Sequence, residues 1–279
     1  MINFKQFLES TANGEQINIS ALDIEGAIDT LNTHCKNALW MLEKNSPLYR
    51  GDPRTRTTGG FAIIDLTTST RKSENTSNYY TEIFDNIPSM SKFPKRSKSL
   101  ICSTDLDRAE GYSGNTAPFI VIPFDDSKIG VVNEDDLWQT GVTLFGDLNG
   151  IADHNDNWRR LQTVCSLDNE NVPKGCWDFI VWLSNEIEKD SEDVVHAFVE
   201  VFGSPGKFNV SKFKQYLKDK TLLDYIDLQY SPSSTGFTVC RSSNKAMLTQ
   251  DTEVWVDGKV VVISSSMWKN LRKAYIENS

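Results

Sequence analysis

The sequence predicts an α+β fold, and three features of its pattern lead to that prediction. Apolar residues recur at three- and four-residue steps from Ser20 to Asn45, which indicates a helix. Short apolar runs typical of strands stand before and after a long central segment with helical periodicity. Because strands and helices are grouped rather than strictly alternating, the pattern favours α+β over a doubly wound βαβ fold.

The elements of the first part, residues 1–132, follow from local pattern. An amphipathic helix is predicted at residues 2–9, before the longer helix described above. Strands are predicted at residues 47–51, 61–66, 99–104 and 119–123, and short helices at 75–85 and 105–112.

The middle of the chain differs from the rest in charge. Residues 133–203 contain 15 acidic and 4 basic residues, a net charge of −11, so the remainder of the chain is close to neutral. Helical periodicity at 177–187, 194–202 and 210–217 predicts that residues 133–235 form a mainly helical insertion or lobe. We expect this lobe to dock a basic surface of a partner, although a merely solvated acidic lobe is the alternative.

The last part, residues 236–279, is predicted to close the fold. Strand patterns occur at 237–240, 253–256 and 259–263, and a final helix is predicted at 267–276. The dipeptide Asp257-Gly258 predicts a two-residue hairpin between the last two strands.

Composition excludes several classes of function. The 279 residues include 29 Lys and Arg and 38 Asp and Glu, so the net charge of −9 argues against non-specific nucleic-acid binding. Five widely spaced cysteines with no CxxC pair are typical of a reduced, cytoplasmic protein, and three scattered histidines argue against a metal site. No apolar run approaches the ~18 residues of a membrane span, and the first residues do not resemble a secretory signal.

Three short polar motifs lie at predicted strand ends. Arg50 ends an apolar strand and is followed by Gly51, so a planar guanidinium that suits phosphate stands where a ligand can approach the backbone. The alternative is an edge-strand arginine paired with a surface carboxylate.

The second motif is Ser103-Thr104, at the end of the strand that begins near residue 99. Two small hydroxyl groups at such a position can orient a ribose or a carboxylate through hydrogen bonds. The alternative is an ordinary helix N-cap, supplied by Thr104 or Asp105.

The third motif is Asp251-Thr252-Glu253, where a strand begins. Side chains two residues apart point to the same face of a strand, so the two carboxylates lie together if the strand has started. A carboxylate in this position can bind a sugar hydroxyl and accept a proton. The alternative is a polar loop that enters the strand.

The order of these motifs, arginine, then serine-threonine, then a carboxylate pair, resembles the mono-ADP-ribosyltransferase family. The likeness is closest to the phage-encoded transferases, in which a helix precedes a Leu-Tyr-Arg strand, as it does before Arg50. It covers residues 20–130 and 236–265. The third position of the family's Ser-Thr-Ser is Asp105 here, and the residue two before the final glutamate is Asp251.

The resemblance implies a split β-sheet core with flanking helices, into which the acidic middle is inserted. It also implies that NAD donates ADP-ribose to a macromolecule, for which a host protein is favoured over DNA. The enzyme would act in the host cytoplasm and could be delivered there with a virion. Glu253 would act in cleavage, oriented by Ser103, and Asp251 would help to choose the acceptor. Cofactor contacts would come from Arg50, Gly51 and Thr104. An aromatic ring would stack on the cofactor, and of the candidates Tyr79, Tyr80 and Phe93 we assign this contact to Tyr80.

Two other functions fit the same residue types. A nucleotide-sugar-dependent transferase that modifies phage DNA also needs an arginine for phosphate and a carboxylate beside a sugar, and the basic segments at 71–80 and 92–98 would then contact DNA. A non-catalytic virion or interaction protein that keeps the fold is the third possibility. The departures at Asp105 and Asp251 favour it.

Overall fold

A computed structural model describes residues 18–51, 60–68, 70, 78–113, 117–132, 154–189, 191–202 and 220–278. The chain divides into two compact units. The sheet unit consists of residues 1–72, 93–140 and 236–279, and the helical unit of residues 73–92 and 141–235. The helical unit thus includes a stretch, 73–92, that the sequence placed with the first part. The helices predicted at 2–9 and 210–217 lie outside the described residues.

In the described residues, the sheet unit contains one antiparallel sheet of nine strands. Their order across the sheet is β1-β3-β9-β5-β2-β4-β8-β6-β7. The strands are β1 (Asn18–Leu22), β2 (Leu48–Arg50), β3 (Phe61–Asp65), β4 (Ser99–Ser103), β5 (Phe119–Pro123), β6 (Lys128–Val131), β7 (Thr238–Cys240), β8 (Glu253–Asp257) and β9 (Lys259–Ser264). The mixed helix-and-sheet composition agrees with the predicted α+β class.

The long helix predicted from Ser20 to Asn45 is wrong in part. Residues Asn18–Leu22 pair with β3 instead, and α1 (Ile24–His34) begins after Asp23, whose side chain accepts the N–H of Gly26. Two shorter elements follow, a 3-10 turn at Lys36–Ala38 and helix α2 (Trp40–Lys44). The apolar residues keep a three- to four-residue spacing across the boundary between β1 and α1. The spacing alone therefore could not show that the helix begins only after Asp23.

The core of the sheet unit lies against the strands β3, β9 and β5. Every residue of Phe119–Pro123 is buried, as are Val260 to Ile263, so side chains on both faces of these strands are removed from water. Helix α10 (Ser265–Asn278) packs against β9, α1 and α2.

The predicted hairpin at Asp257-Gly258 is wrong. Asp257 is still in β8, where it pairs with Ser99 and Lys128, so Gly258 alone separates β8 from β9. The two strands then diverge, and β5, β2 and β4 lie between them in the sheet. Gly258 has φ of +117°, and a Cβ there would lie 3.0 Å from the Ser127 hydroxyl, so glycine is required at this turn.

The helical unit is built around aromatic rings. Its described helices are α3 (Tyr79–Asn86), α5 (His154–Asp168), α6 (Cys176–Glu188), α7 (Glu192–Phe202), α8 (Leu222–Tyr230) and α9 (Pro232–Thr235). The ring of Tyr79 stacks on Trp158, with centroids 5.9 Å apart, and meets the edge of Phe179. Glu82 accepts the N–H of Trp177 at 2.8 Å, so a carboxylate satisfies the first turn of α6. No helix in the described ranges of either unit is long and apolar enough to cross a membrane.

Candidate active site at the ends of three adjacent strands

The three predicted motifs come together on neighbouring strands of the sheet unit. Strands β2, β4 and β8 are adjacent, and Tyr49, Ser103 and Glu253 are partners in one row across them. Arg50 directly follows Tyr49 at the end of β2. Strands β2 and β4 are joined through the single register pair of Tyr49 and Ser103, whereas β4 and β8 pair over five residues.

Glu253 is a largely buried carboxylate with two donors on one oxygen. Its Oε1 accepts hydrogen bonds from Arg96 Nη1 at 3.1 Å and from Trp255 Nε1 at 2.5 Å. The side chains of Arg96 and Glu253 are 15% and 9% exposed, so this ion pair is mostly removed from water. A carboxylate in such surroundings needs a charged partner because desolvation otherwise disfavours its ionised form.

Arg96 and Trp255 also contact each other. The guanidinium carbon of Arg96 lies 4.8 Å from the centroid of the Trp255 ring, within the range of a cation–π interaction. Trp255 and Glu253 are two residues apart on β8 and therefore share a face of the strand. Each of the three side chains consequently contacts the other two.

Aromatic packing holds Trp255 in place. Its ring meets the edge of Phe237, with centroids 4.8 Å apart, and Phe237 in turn meets Phe93. Gly130 stands opposite Trp255 on β6, and a Cβ at Gly130 would lie 2.3 Å from the Phe237 ring. The absence of a side chain on Gly130 therefore makes room for the ring that supports Trp255.

Arg50 makes a backbone contact rather than a surface ion pair. Its Nη1 donates to the carbonyl of Ile101 at 2.7 Å, and the residue is half-buried. No carboxylate among the described residues pairs with its side chain, in contrast to the surface ion pair that was the alternative from the sequence. Since a guanidinium has five N–H donors, Arg50 keeps the capacity to bind an anion. Burial raises the pKa of the neighbouring Tyr49 above its ordinary value.

Gly51 is glycine for a different reason from the one predicted. The sequence suggested a close approach of ligand to backbone, but a Cβ at Gly51 would lie 2.1 Å from the carbonyl oxygen of Ala109 and 2.8 Å from Cβ of Tyr112. These atoms belong to α4 (Leu106–Ser113). The space beside Gly51 is thus taken by a helix.

The Ser-Thr motif makes hydrogen bonds to the backbone around Glu253. Ser103 Oγ accepts the N–H of Asp105 at 3.0 Å, while Arg96 and Trp255 donate to the Glu253 carboxylate. Thr104, predicted to contact the cofactor, donates its hydroxyl to the carbonyl of Gln250 and accepts the N–H of Thr252 at 2.9 Å. It ties the segment before Glu253 to the end of β4.

Asp105, the departure from the family pattern, caps helix α4. Its carboxylate accepts the N–H of Asp107 at 2.9 Å, as the sequence anticipated for this position. Asp251 is exposed, two residues before the buried Glu253.

Tyr80, predicted to stack on the cofactor, is a core residue of the helical unit. It is 8% exposed, and its ring meets those of Phe84 and Tyr230. Tyr79 is likewise buried in that unit, and Phe93 packs on Phe237. Each of the three aromatic candidates is therefore explained by packing against other rings.

Arg96 and Trp255 were not among the predicted site residues. Arg96 lies in the basic segment 92–98, which the sequence suggested only as a contact for DNA. The sequence contains a signal for Trp255, because it stands two residues after Glu253 and both side chains therefore lie on one face of the strand. In the described residues, no group of three or more His, Cys, Asp and Glu side chains is placed to hold a metal ion.

Comparison of the chain with protein-family models, with curated proteins and with solved structures found no match in any of the three. The function is therefore argued from the site itself.

Proposed function

We propose that this protein transfers ADP-ribose from NAD to a macromolecular acceptor. The observation that carries the proposal is the row formed by Tyr49, Ser103 and Glu253 on three adjacent strands, with Arg50 directly after Tyr49 on β2. Motifs separated by about 50 and 150 residues of sequence are neighbours in the sheet. This adjacency of β2, β4 and β8 supports a single site built from the three motifs.

The chemistry of the side chains suits this donor. Cleavage of the nicotinamide–ribose bond builds positive charge on the ribose, as in glycoside cleavage. The bonding pair leaves with nicotinamide, and the acceptor forms a bond to the same ribose carbon and loses a proton. Glu253, paired with Arg96, can accept a hydrogen bond from a ribose hydroxyl and stabilise that charge. Arg50 supplies donors for the pyrophosphate.

The fold supports the proposal at a coarser level. The resemblance implies a split sheet, and here two groups of well-paired strands meet at the three-residue strand β2. Asp251, exposed beside Glu253, is in a position to contact an acceptor. Arg50, Ser103 and Glu253 thus lie in one unit, together with the strands that position them.

The test is incubation of the purified protein with NAD labelled in the adenosine part, together with a lysate of candidate acceptors. We expect label to become attached to macromolecules and nicotinamide to be released, both lost in Glu253→Gln. A protein that neither binds nor cleaves NAD would contradict the proposal.

A nucleotide-sugar transferase is the second candidate, because the contacts of Arg50 and Glu253 contain nothing specific for nicotinamide. Parallel incubations with labelled nucleotide sugars and DNA distinguish it, since label would then appear in the DNA. Absence of transfer from every donor would favour a non-catalytic interaction protein.

A further inference from the structure

We infer that Arg96 is a positioning residue for Glu253, and that it acts on turnover rather than on the binding of NAD. The inference rests on the proposed function. Its basis is the triangle of contacts among Arg96, Glu253 and Trp255, which the sequence-based assignment of the site does not contain.

The geometry gives Arg96 a single orientation. Its guanidinium lies over the face of Trp255, which is fully buried, and donates to Glu253 Oε1. A planar guanidinium can stack on an aromatic ring and donate a hydrogen bond to a carboxylate oxygen at the same time. The ammonium group of lysine has no plane with which to stack. Arg96 therefore couples the carboxylate to a rigid aromatic support.

The direction of both donors matters for the chemistry. Arg96 and Trp255 bind the same oxygen, Oε1, so the rotation of the carboxyl group is fixed by two contacts from different parts of the chain. Arg96 arrives from the 3-10 turn at Arg96–Lys98, which leads into β4, while Trp255 is on β8 itself. A carboxylate fixed in this way needs little reorganisation in the transition state.

Arg50 and Arg96 therefore have separate tasks. Arg50 contacts a strand carbonyl and retains donors for an anion, whereas Arg96 is engaged with Glu253. Loss of Arg50 should weaken the binding of NAD. Loss of Arg96 should leave binding nearly intact and slow cleavage, because misplacement of a reacting group by about 1 Å can cost on the order of 10²-fold in rate.

The experiment compares Arg96→Met, Arg96→Lys and Trp255→Phe with the wild type. Titration calorimetry gives the Kd for NAD, nicotinamide release gives kcat, and thermal unfolding reports folding. Lys259→Met is the matched control, since it breaks an exposed ion pair with Asp65 on the same sheet, with 3.7 Å between the charged atoms.

For Arg96→Met we expect kcat to fall about 10²-fold with Kd changed less than about twofold. Arg96→Lys should recover part of that loss, Trp255→Phe should lower kcat less, and the control should match the wild type. If Arg96→Met does not fold, an intermediate kcat at unchanged Kd in Arg96→Lys supports the same conclusion.

A kcat within twofold of wild type in the folded Arg96 variants would overturn the inference and leave the proposed function standing. A rise in kcat, or a loss confined to Kd, would also overturn it. A wild-type protein that does not cleave NAD would overturn both.

Discussion

Glu253 in the sheet unit and the carboxylates near the junction of α6 and α7 in the helical unit have opposite surroundings. In the sheet unit, Glu253 is 9% exposed at its side chain and shares a desolvated contact with Arg96. In the helical unit, Glu188, Glu192 and Asp193 are exposed on α6 and α7, whose buried faces are apolar. The same chemical group is thus paired and mostly buried at Glu253, and exposed to solvent at Glu188, Glu192 and Asp193.

A buried, paired charge is suited to chemistry, whereas exposed charges are suited to recognition. Breaking a buried pair leaves an uncompensated charge in a poorly solvated place, so each partner strongly constrains the other. Exposed charges are screened within ~8 Å at physiological ionic strength and contribute little individually. We therefore expect a single substitution at Glu253 to change activity measurably. The exposed carboxylates of the helical unit should affect activity only when several are replaced together.

The largest expected effect is that of Glu253→Gln. Glutamine keeps the size and hydrogen bonding of the side chain but not its charge, so NAD cleavage should fall by about 10²–10⁴-fold, the range for a catalytic acid–base group. Circular dichroism should show an intact fold, and nicotinamide release gives the rate. Glu188→Gln in the helical unit is the matched control and should be silent. Wild-type turnover in Glu253→Gln would remove Glu253 from the chemistry.

Arg50→Lys should have the next largest effect. Loss of the bidentate contact to phosphate should weaken NAD binding by roughly 1.5–3 kcal/mol, the range for hydrogen bonds to charged groups. Calorimetry measures this directly, with Lys259→Met again as the control. Unchanged affinity would reduce Arg50 to its contact with the Ile101 carbonyl.

Gly51→Ala should destabilise the sheet unit through its backbone. The new Cβ would meet the Ala109 carbonyl oxygen, so β2 and α4 must separate, at a cost of about 1–3 kcal/mol in the free energy of unfolding. Chemical denaturation gives the value. Gly111→Ala on the same helix is the matched control, because nothing lies within 4 Å of its Cβ position and alanine favours a helix. Equal stabilities of the two variants would contradict the packing argument.

The smallest effect is expected from the acidic helices. Replacing Glu186, Glu188, Glu192 and Asp193 together with their amides should slow transfer to a basic macromolecular acceptor a few-fold at low salt and spare NAD hydrolysis. The difference from the wild type should shrink as salt rises. Transfer and hydrolysis are measured in the same reaction. Equal loss of both, or of neither, would favour a lobe that is merely solvated.

Local pattern was sufficient where an element is long or continuously apolar. The strand Phe119–Pro123 is found as predicted, and α6 and α7 occur within one or two residues of their predicted bounds. Strand β6 was missed because its four residues include Gly130, a residue type depleted in strands. Helix α8 was missed as well, although Thr221 and Asp224 form a capping box at its start.

The candidate site was predictable by residue type but not by contact. Arg50, Ser103 and Glu253 could be selected because each is polar at a strand end. Which groups touch Glu253 depends on pairing between distant parts of the chain, since Arg96 is 157 residues away from it. The surroundings of Gly51 and Thr104 were unpredictable for the same reason, because helix α4 packs against Gly51 and the segment before β8 hydrogen-bonds Thr104.

The single residue between β8 and β9 has a consequence for the order in which the sheet can assemble during synthesis. Strand β8 lies between β4 and β6, and β9 lies between β3 and β5, so both are interior strands. Both are translated after residue 252, when their four partners have already left the ribosome. Until then those partners have unpaired edges, which are prone to wrong association. We expect ribosome-bound chains ending before Glu253 to remain sensitive to protease throughout the sheet unit, with protection arising in one step once Ser264 has emerged.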